Sequence, residues 1–202
     1  MGYKLFLLMG KSATGKDTIC EALLRRFEGR LRKIVPYTTR PIRAGETDGV
    51  EYHFVTVEEM QRMQQEGRVL ECRTYHVVVG DWHYFTADDG QIDESGVHTI
   101  MIATPEVYFG LKKTKYADAI VPIYLESEDE ERLLRSIWRE RKQSKPNYAE
   151  VCRRYLADER DFAPEIIDQM NVRLRFLNWQ FTSCMRLVGE AVAREMMRAE
   201  AK

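Results

Sequence analysis

A chain of 202 residues with 44% hydrophobic and 31% charged side chains can build one soluble domain around a sizeable core. Its net charge of −1 offers no global attraction to a polyanion, which argues against nucleic acid as a partner. "KLFLLM" is too short for a secretory h-region, no apolar run nears the roughly 20 residues of a membrane span, and Cys20, Cys72, Cys152 and Cys184 are scattered with no CxxC pair, so a reducing cytoplasm and no membrane are expected.

In chain order, "YKLFLLM" (Tyr3–Met9) is an apolar run ending in a glycine loop, as a buried parallel strand does. A helix is expected from about Lys16, with Ile19, Leu23, Leu24 and Phe27 on one face and Gly29 as its stop. "RKIVPY" reads as a second strand, and "TTRPIRAGETDG" holds too many turn formers for a regular element. "VEYHFVT" alternates like a strand, and Thr56 with Glu59 forms a capping box for a helix through Gln65. "RVLECRTYHVVV" and "WHYFTA" read as antiparallel strands around Gly80-Asp81.

"VHTIMIA" restores the parallel-strand pattern and precedes a helix with Thr104 as N-cap and Pro105 at its first position. "DAIVPIYLE" is another buried strand, and Ser127 with Glu130 should cap a helix whose apolar stripe is Leu133, Leu134, Ile137 and Trp138. "KQSKPNY" interrupts it, Asn147 with Glu150 starts a further helix, "NVRLRFL" is a last strand, and a closing helix follows Trp179. Packing or a dimer contact explains the amphipathic tail "GEAVAREMMRAEAK" better than a membrane does. Strands alternating with helices imply an α/β, doubly wound, three-layer fold with a parallel sheet core. Residues 37–96 break that rhythm and read as an inserted mixed-β subdomain, leaving 1–36 and 97–202 as the core.

The chemistry begins at "MGKSATGKDT". Gly10-x-x-x-x-Gly15-Lys16 has the spacing of a phosphate-binding P-loop and lies between a strand and a helix. Glycines let backbone N–H groups point inward around a phosphate, the helix N-terminus adds its positive end, and a lysine supplies a mobile charge for the β- and γ-phosphates. The candidate ATP-binding set is therefore Gly10, Lys11, Ser12, Ala13, Thr14, Gly15, Lys16, Asp17 and Thr18. Asp17 stands where a metal-binding hydroxyl is usual. It is either a ligand of the Mg²⁺ that accompanies ATP, directly or through water, or an acid favoured in a first helical turn.

"YTTRPIRAGETDGVEYHF", followed by "VLE" at Val69–Glu71 and "YFT" at Tyr84–Thr86, closely resembles the acceptor-site signature of the guanylate kinases. The resemblance runs in family order over most of the chain. It implies that Arg40, Arg43, Tyr52 and Tyr84 hold the phosphate of GMP, that Glu71 reads guanine, and that Thr86 lies beside the base. The chemistry suits these roles: guanidinium forks and phenol hydroxyls donate to a phosphate, and a carboxylate accepts from guanine N1–H and its exocyclic amine together. Tyr37 stands where the family has a small serine near the base, Thr104 falls about where it has an aspartate, and extra residues surround "VVVGDWH".

Arg132, Arg135 and Arg139 recur about a helical turn apart. The resemblance implies that Arg135 and Arg139, with Arg154 favoured over Arg153 as a further arginine, close on the transferring phosphoryl group, and that residues of about 140–150 form a short lid. As ordinary surface pairs, Glu128–Arg132 and Glu131–Arg135 would be worth about 0.2–0.5 kcal/mol each. His53, His76, His83 and His98 have no metal-ligand spacing and read as structural, with His83 at most lining a pocket. The expected activity is transfer of the ATP γ-phosphoryl group to GMP or dGMP. One alternative is a related kinase acting on another phosphorylated small molecule such as a ribose bisphosphate, which would not need Glu71 and Thr86. Another is a non-catalytic module binding phosphorylated proteins, which would not need Gly10, Gly15 and Lys16.

Overall fold

The computed structural model describes residues 2–43, 45–77, 80–92 and 96–201. Val78 and Val79, part of the run read as the first antiparallel strand, lie outside the described residues. The elements are β1 (Leu5–Met9), α1 (Lys16–Arg26), β2 (Leu31–Lys33), β3 (Tyr37–Thr38), β4 (His53–Phe54), α2 (Val57–Gln65), β5 (Val69–Val77), β6 (Gly80–Ala87), β7 (His98–Ala103), α3 (Pro105–Leu111), β8 (Ile120–Glu126), α4 (Asp129–Arg141), α5 (Tyr148–Asp161), α6 (Pro164–Met170), β9 (Leu174–Leu177) and α7 (Phe181–Glu200).

Five strands form a parallel sheet in the order β2-β7-β1-β8-β9. β1 is central, and all five of its side chains are buried because the two faces of the sheet are both covered. Leu5, Leu7 and Met9 pack with Val107, Leu111, Phe162 and Ile167 from α3, the end of α5 and α6. Phe6 and Leu8 pack on the opposite face with Ile19 and Leu23 of α1 and Val188, Val192 and Met196 of α7. The tail helix is thus accounted for by packing within the chain.

A second, mixed sheet of order β4-β3-β6-β5 carries α2, whose Met60 and Met63 meet Phe85 and Ala87 in a small core of their own. The predicted capping box is present: Thr56 Oγ1 accepts from Glu59 N at 3.1 Å, and Glu59 Oε2 accepts from Thr56 N at 2.9 Å. β5 and β6 form the expected antiparallel pair, with Glu71 opposite Thr86, Arg73 opposite Tyr84 and Tyr75 opposite Trp82.

Several expectations need correction. "RKIVPY" is not one strand: Leu31–Lys33 belongs to the first sheet and Tyr37–Thr38 to the second. Pro36 lies at the crossing, where it has no N–H to give either ladder, and its carbonyl accepts from His53 N at 2.9 Å. Only His53–Phe54 of "VEYHFVT" is strand, because the chain turns through Gly49, whose N–H bonds Tyr52 O at 2.8 Å. Ser127 does not cap α4: Glu128 is the N-cap residue, without a side-chain cap, and Ser127 Oγ instead accepts from Arg135 Nη1 at 3.4 Å. The apolar stripe of α4 does not face the core either. Leu134, Ile137 and Trp138 are exposed, and the buried residue of the helix is Arg132. Leu133 is half-buried, and the helix is anchored by the ion pairs of Arg132, described below. α6 was not foreseen; Pro164 at its first turn, followed by Ile167 and Met170 at helical spacing, was the available signal.

Candidate active site

The loop between β1 and α1 is shaped by close approach. A Cβ on Gly10 would lie 2.6 Å from Leu125 O and 2.9 Å from Thr14 Oγ1, so no side chain fits there. Gly15 has φ 85°, in the left-handed region that glycine tolerates, and a Cβ on it would lie 2.6 Å from Asn178 Nδ2. Thr14 is buried, and its hydroxyl donates to Lys11 O at 2.9 Å. Asn178, which sequence reading missed, donates from Nδ2 to Thr14 O at 2.8 Å and through its own N–H to Glu126 O at 2.7 Å. It ties the loop to the end of β8 from 164 residues away. Asn178→Ala should therefore lower stability by about 1–3 kcal/mol, the cost of leaving a buried carbonyl unpaired, in chemical denaturation.

Lys16 opens α1, and its ammonium donates to Lys11 O at 3.4 Å. Burial lowers its pKa, while the nearby carboxylates of Asp17 and Asp158 oppose that shift and the cations of Arg139 and Arg132 add to it. Asp17 and Thr18 are exposed in the first turn of α1. An exposed carboxylate beside Lys16 is a hard oxygen donor of the kind Mg²⁺ prefers, so the residues present fit that ion.

A cluster of charges fastens α4 and α5 to this loop. Asp158 Oδ2 accepts from Ser12 N at 2.7 Å, and both oxygens of Glu159 lie 2.7 Å from Lys11 Nζ. Arg132 has a side chain only 2% exposed. It pairs with Asp129 at 2.6 Å, Glu159 at 2.8 Å and Asp158 at 3.5 Å, and its guanidinium lies 4.9 Å over the Tyr155 ring. The expected Glu128–Arg132 side-chain pair is replaced by this set, whereas Glu131–Arg135 forms at 3.5 Å. Arg154 and Arg153 both bond Glu150, whose carboxyl they hold down at about 2, the Arg153 hydrogen bond contributing most. Arg139 is exposed and lines a crevice with Ser12, Arg154 and Asp158.

On the second sheet, Arg40 is 3% exposed. Its Nη atoms grip Glu46 at 3.0 and 2.8 Å, its Nε donates to Tyr84 Oη at 3.1 Å, and its guanidinium lies 5.7 Å over the Tyr52 ring. Tyr52 and Tyr84 meet edge to face at 5.5 Å, and burial raises the pKa of the Tyr52 hydroxyl. Arg43 is exposed at the mouth of the same region, its N–H bonded to Glu46 at 2.8 Å. Glu71 accepts from the Thr86 hydroxyl at 2.6 Å, and burial raises its pKa against the pull of Arg73 and Thr86. Tyr37 does not join them: its hydroxyl donates to Asp89 at 2.6 Å and its ring stacks on Phe85 at 5.1 Å. Thr104 is the N-cap of α3, accepting from Val107 N at 3.4 Å, and it also meets Arg73 Nη1 at 3.5 Å.

Between the two sheets lies an open cleft of about 900 Å³. Arg43, Tyr52, Arg73 and Tyr84 line it on one side, and Ser12, Arg154 and Asp158 on the other. Ser12 of the predicted phosphate loop thus shares one cavity with the predicted acceptor residues Arg43, Tyr52 and Tyr84, whereas Glu71 and Thr104 line a neighbouring one. Among the described residues, no helix is long and apolar enough to cross a membrane.

The sequence profile of the guanylate kinase family matches residues 2–168. The chain is 43% identical over 90 residues to the guanylate kinase of Symbiobacterium thermophilum, covering 45% of this chain and 40% of that protein. It is 36% identical over 115 residues to that of Neisseria gonorrhoeae, covering 50% and 54%, and 43% identical over 72 residues to that of Schizosaccharomyces pombe, covering 36% of each. The matched stretches thus span between about a third and a half of these relatives' lengths. The crystal structure of guanylate kinase from Anaplasma phagocytophilum has the same fold, with a TM-score of 0.62 at 21% identity over 97% of this chain and 88% of that one. With predicted phosphate-loop and acceptor residues on one cleft, the profile match settles the lineage: the chain belongs to the guanylate kinase family.

Proposed function

We propose that the chain transfers the γ-phosphoryl group of ATP to GMP or dGMP, giving ADP and the nucleoside diphosphate. The observation that carries this reading is the shared cleft, with Ser12 of the phosphate loop on one side and Arg43, Tyr52 and Tyr84 on the other. The loop amides and Lys16 hold the β- and γ-phosphates, and Thr18 contacts phosphate. Arg40, Arg43, Tyr52 and Tyr84 hold the acceptor phosphate. Arg40 is positioned by Glu46 and Tyr84, so its fork is set before ligand arrives. Glu71, fixed by Thr86, accepts from the guanine donor edge. Arg135, Arg139 and Arg154 neutralise charge on the transferring group, and the 140–150 segment excludes water, whose attack on ATP is the competing reaction. Asp17 would hold, directly or through water, the Mg²⁺ that accompanies ATP, and that ion would supply further neutralisation of phosphate charge.

Steady-state ADP release with MgATP and GMP, dGMP, AMP, CMP, UMP or ribose 1,5-bisphosphate tests the reading. GMP or dGMP should far exceed the rest. The alternative acceptor class, a base-free ligand such as a ribose bisphosphate, is not favoured by the family match. Preferential turnover of ribose 1,5-bisphosphate would replace the first reading with that one.

Guanine recognition also sets a pH dependence. Glu71 must be ionised to accept from two donors, and burial raises its pKa. The KM for GMP should therefore climb on acidification from a higher pH than an ordinary glutamate would give, while the KM for ATP does not follow that step. A KM for GMP that is flat until the ordinary carboxylate range would contradict this role for Glu71.

A further inference from the structure

Glu71 and Arg73 stand two residues apart on one face of β5, and their cross-strand partners are Thr86 and Tyr84. Arg73 therefore sits between the two ends of the acceptor face, the base reader Glu71 and the phosphate ligand Tyr84. Its Nε lies 3.6 Å from Glu71 Oε2, and its Nη1 lies 3.5 Å from Thr104 Oγ1. The side chains of Arg73 and Glu71 are 14% and 4% exposed. Both Glu71 Oε2 and Arg73 Nε are buried with no hydrogen-bond partner. Two complementary atoms that face each other slightly too far apart for a hydrogen bond make a weak contact that a better-fitting ligand can replace. Behind Glu71 the backbone is close: a Cβ on Gly110 would lie 2.6 Å from Glu71 Cβ. Glu71 also borders a second cavity of about 610 Å³ with Thr104 and Phe109, and its Oε2 is buried.

We propose that Arg73 is a built-in stand-in for the acceptor base. A guanidinium presents N–H donors from one plane, as the N1–H and amino edge of guanine does, so Arg73 holds the Glu71 charge in the free protein. An incoming guanine takes Glu71, and the displaced guanidinium turns into the cleft it already lines with Arg43, Tyr52 and Tyr84. There it meets the acceptor phosphate. A ligand must then bring both a donor edge and an anion to release Arg73 without loss. Adenine, lacking that donor pair, would leave Glu71 charged, buried and unpaired, which is a penalty against the wrong base. Arg73 sets specificity here, and the proposal rests on the GMP reading above.

The test uses guanosine and GMP titrated by NMR into the full chain and into Arg73→Ala, at alkaline pH so that Glu71 is ionised. Guanosine displaces Arg73 and offers it no phosphate, so it should bind the variant about tenfold tighter than the unaltered chain, or about 1.4 kcal/mol. GMP affinity should change by less, because the lost competitor and the lost phosphate contact oppose each other. Equal or weaker guanosine binding in the variant would overturn the proposal, since a merely structural arginine can only loosen the site when removed. Arg73→Gln, which keeps most of the volume, gives the same readout where Arg73→Ala folds poorly. Failure of the unaltered chain to bind GMP at all would sink the acceptor reading itself, and this proposal with it. GMP binding without the guanosine effect would sink only this one.

Discussion

Lys16→Met is expected to lower kcat/KM for phosphoryl transfer by about 10²–10³-fold, as removal of one preorganised charge donor does, without unfolding the chain. Methionine keeps the length of the side chain and most of its packing, and the one hydrogen bond lost is the weak one to Lys11 O at 3.4 Å. What disappears is a cation set into the phosphate loop. Burial pushes the Lys16 pKa down, and Asp17 and Asp158 push back, so those carboxylates help to keep the ammonium charged in a dry site. A charge held there before the reaction needs no reorganisation as negative charge moves toward the leaving oxygen. Unchanged turnover with an intact circular dichroism spectrum would mean that Lys16 does not contact the nucleotide.

Arg132→Met is expected to act on stability first, lowering it by about 2–3 kcal/mol, somewhat less than the roughly 3–5 kcal/mol that removing one member of a fully buried ion pair costs. The discount reflects Asp129 and Glu159, whose side chains are 55% and 37% exposed and regain water once the arginine is gone. Asp158, at 14%, does not. Its carboxylate is left beside Ser12 N with its cation removed, so the phosphate loop should also become a poorer anion site and the KM for ATP should rise. Denaturant titration and ATP kinetics on the same variant separate the two effects. A stability within about 0.5 kcal/mol of the unaltered chain, the range of ordinary surface changes, would show that the cluster is held by solvent-exposed pairs of little weight.

The sequence carried the local parts of this site far better than the assembled ones. A phosphate loop depends on glycines at fixed offsets, and the clash a Cβ on Gly10 would make with Leu125 O shows why the spacing is legible. The capping box at Thr56 and Glu59 is likewise complete within four residues. Arg132 was misread because its helix offers an apolar stripe at the right period, and periodicity alone cannot say which face an ion cluster will bury. Two of its carboxylates come from the next helix, and Asn178 reaches Thr14 from the far end of the chain. Tyr37 and Thr104 were placed at the base by resemblance. The structure gives Tyr37 to Asp89, while Thr104, the helix cap the sequence also predicts, lines one cavity with Glu71. Arg73 carries no signal as a single residue in an alternating strand, and its meaning comes from the buried atoms without hydrogen bonds where it faces Glu71.

The most direct test of the central claim follows the phosphorus atom. The chain would be incubated with Mg²⁺, ATP labelled at the γ-phosphoryl group and GMP, and the products separated. The account predicts label appearing in GDP in step with ADP formation, with little in inorganic phosphate. Label appearing only in inorganic phosphate, or in no product while the protein is folded, would contradict it.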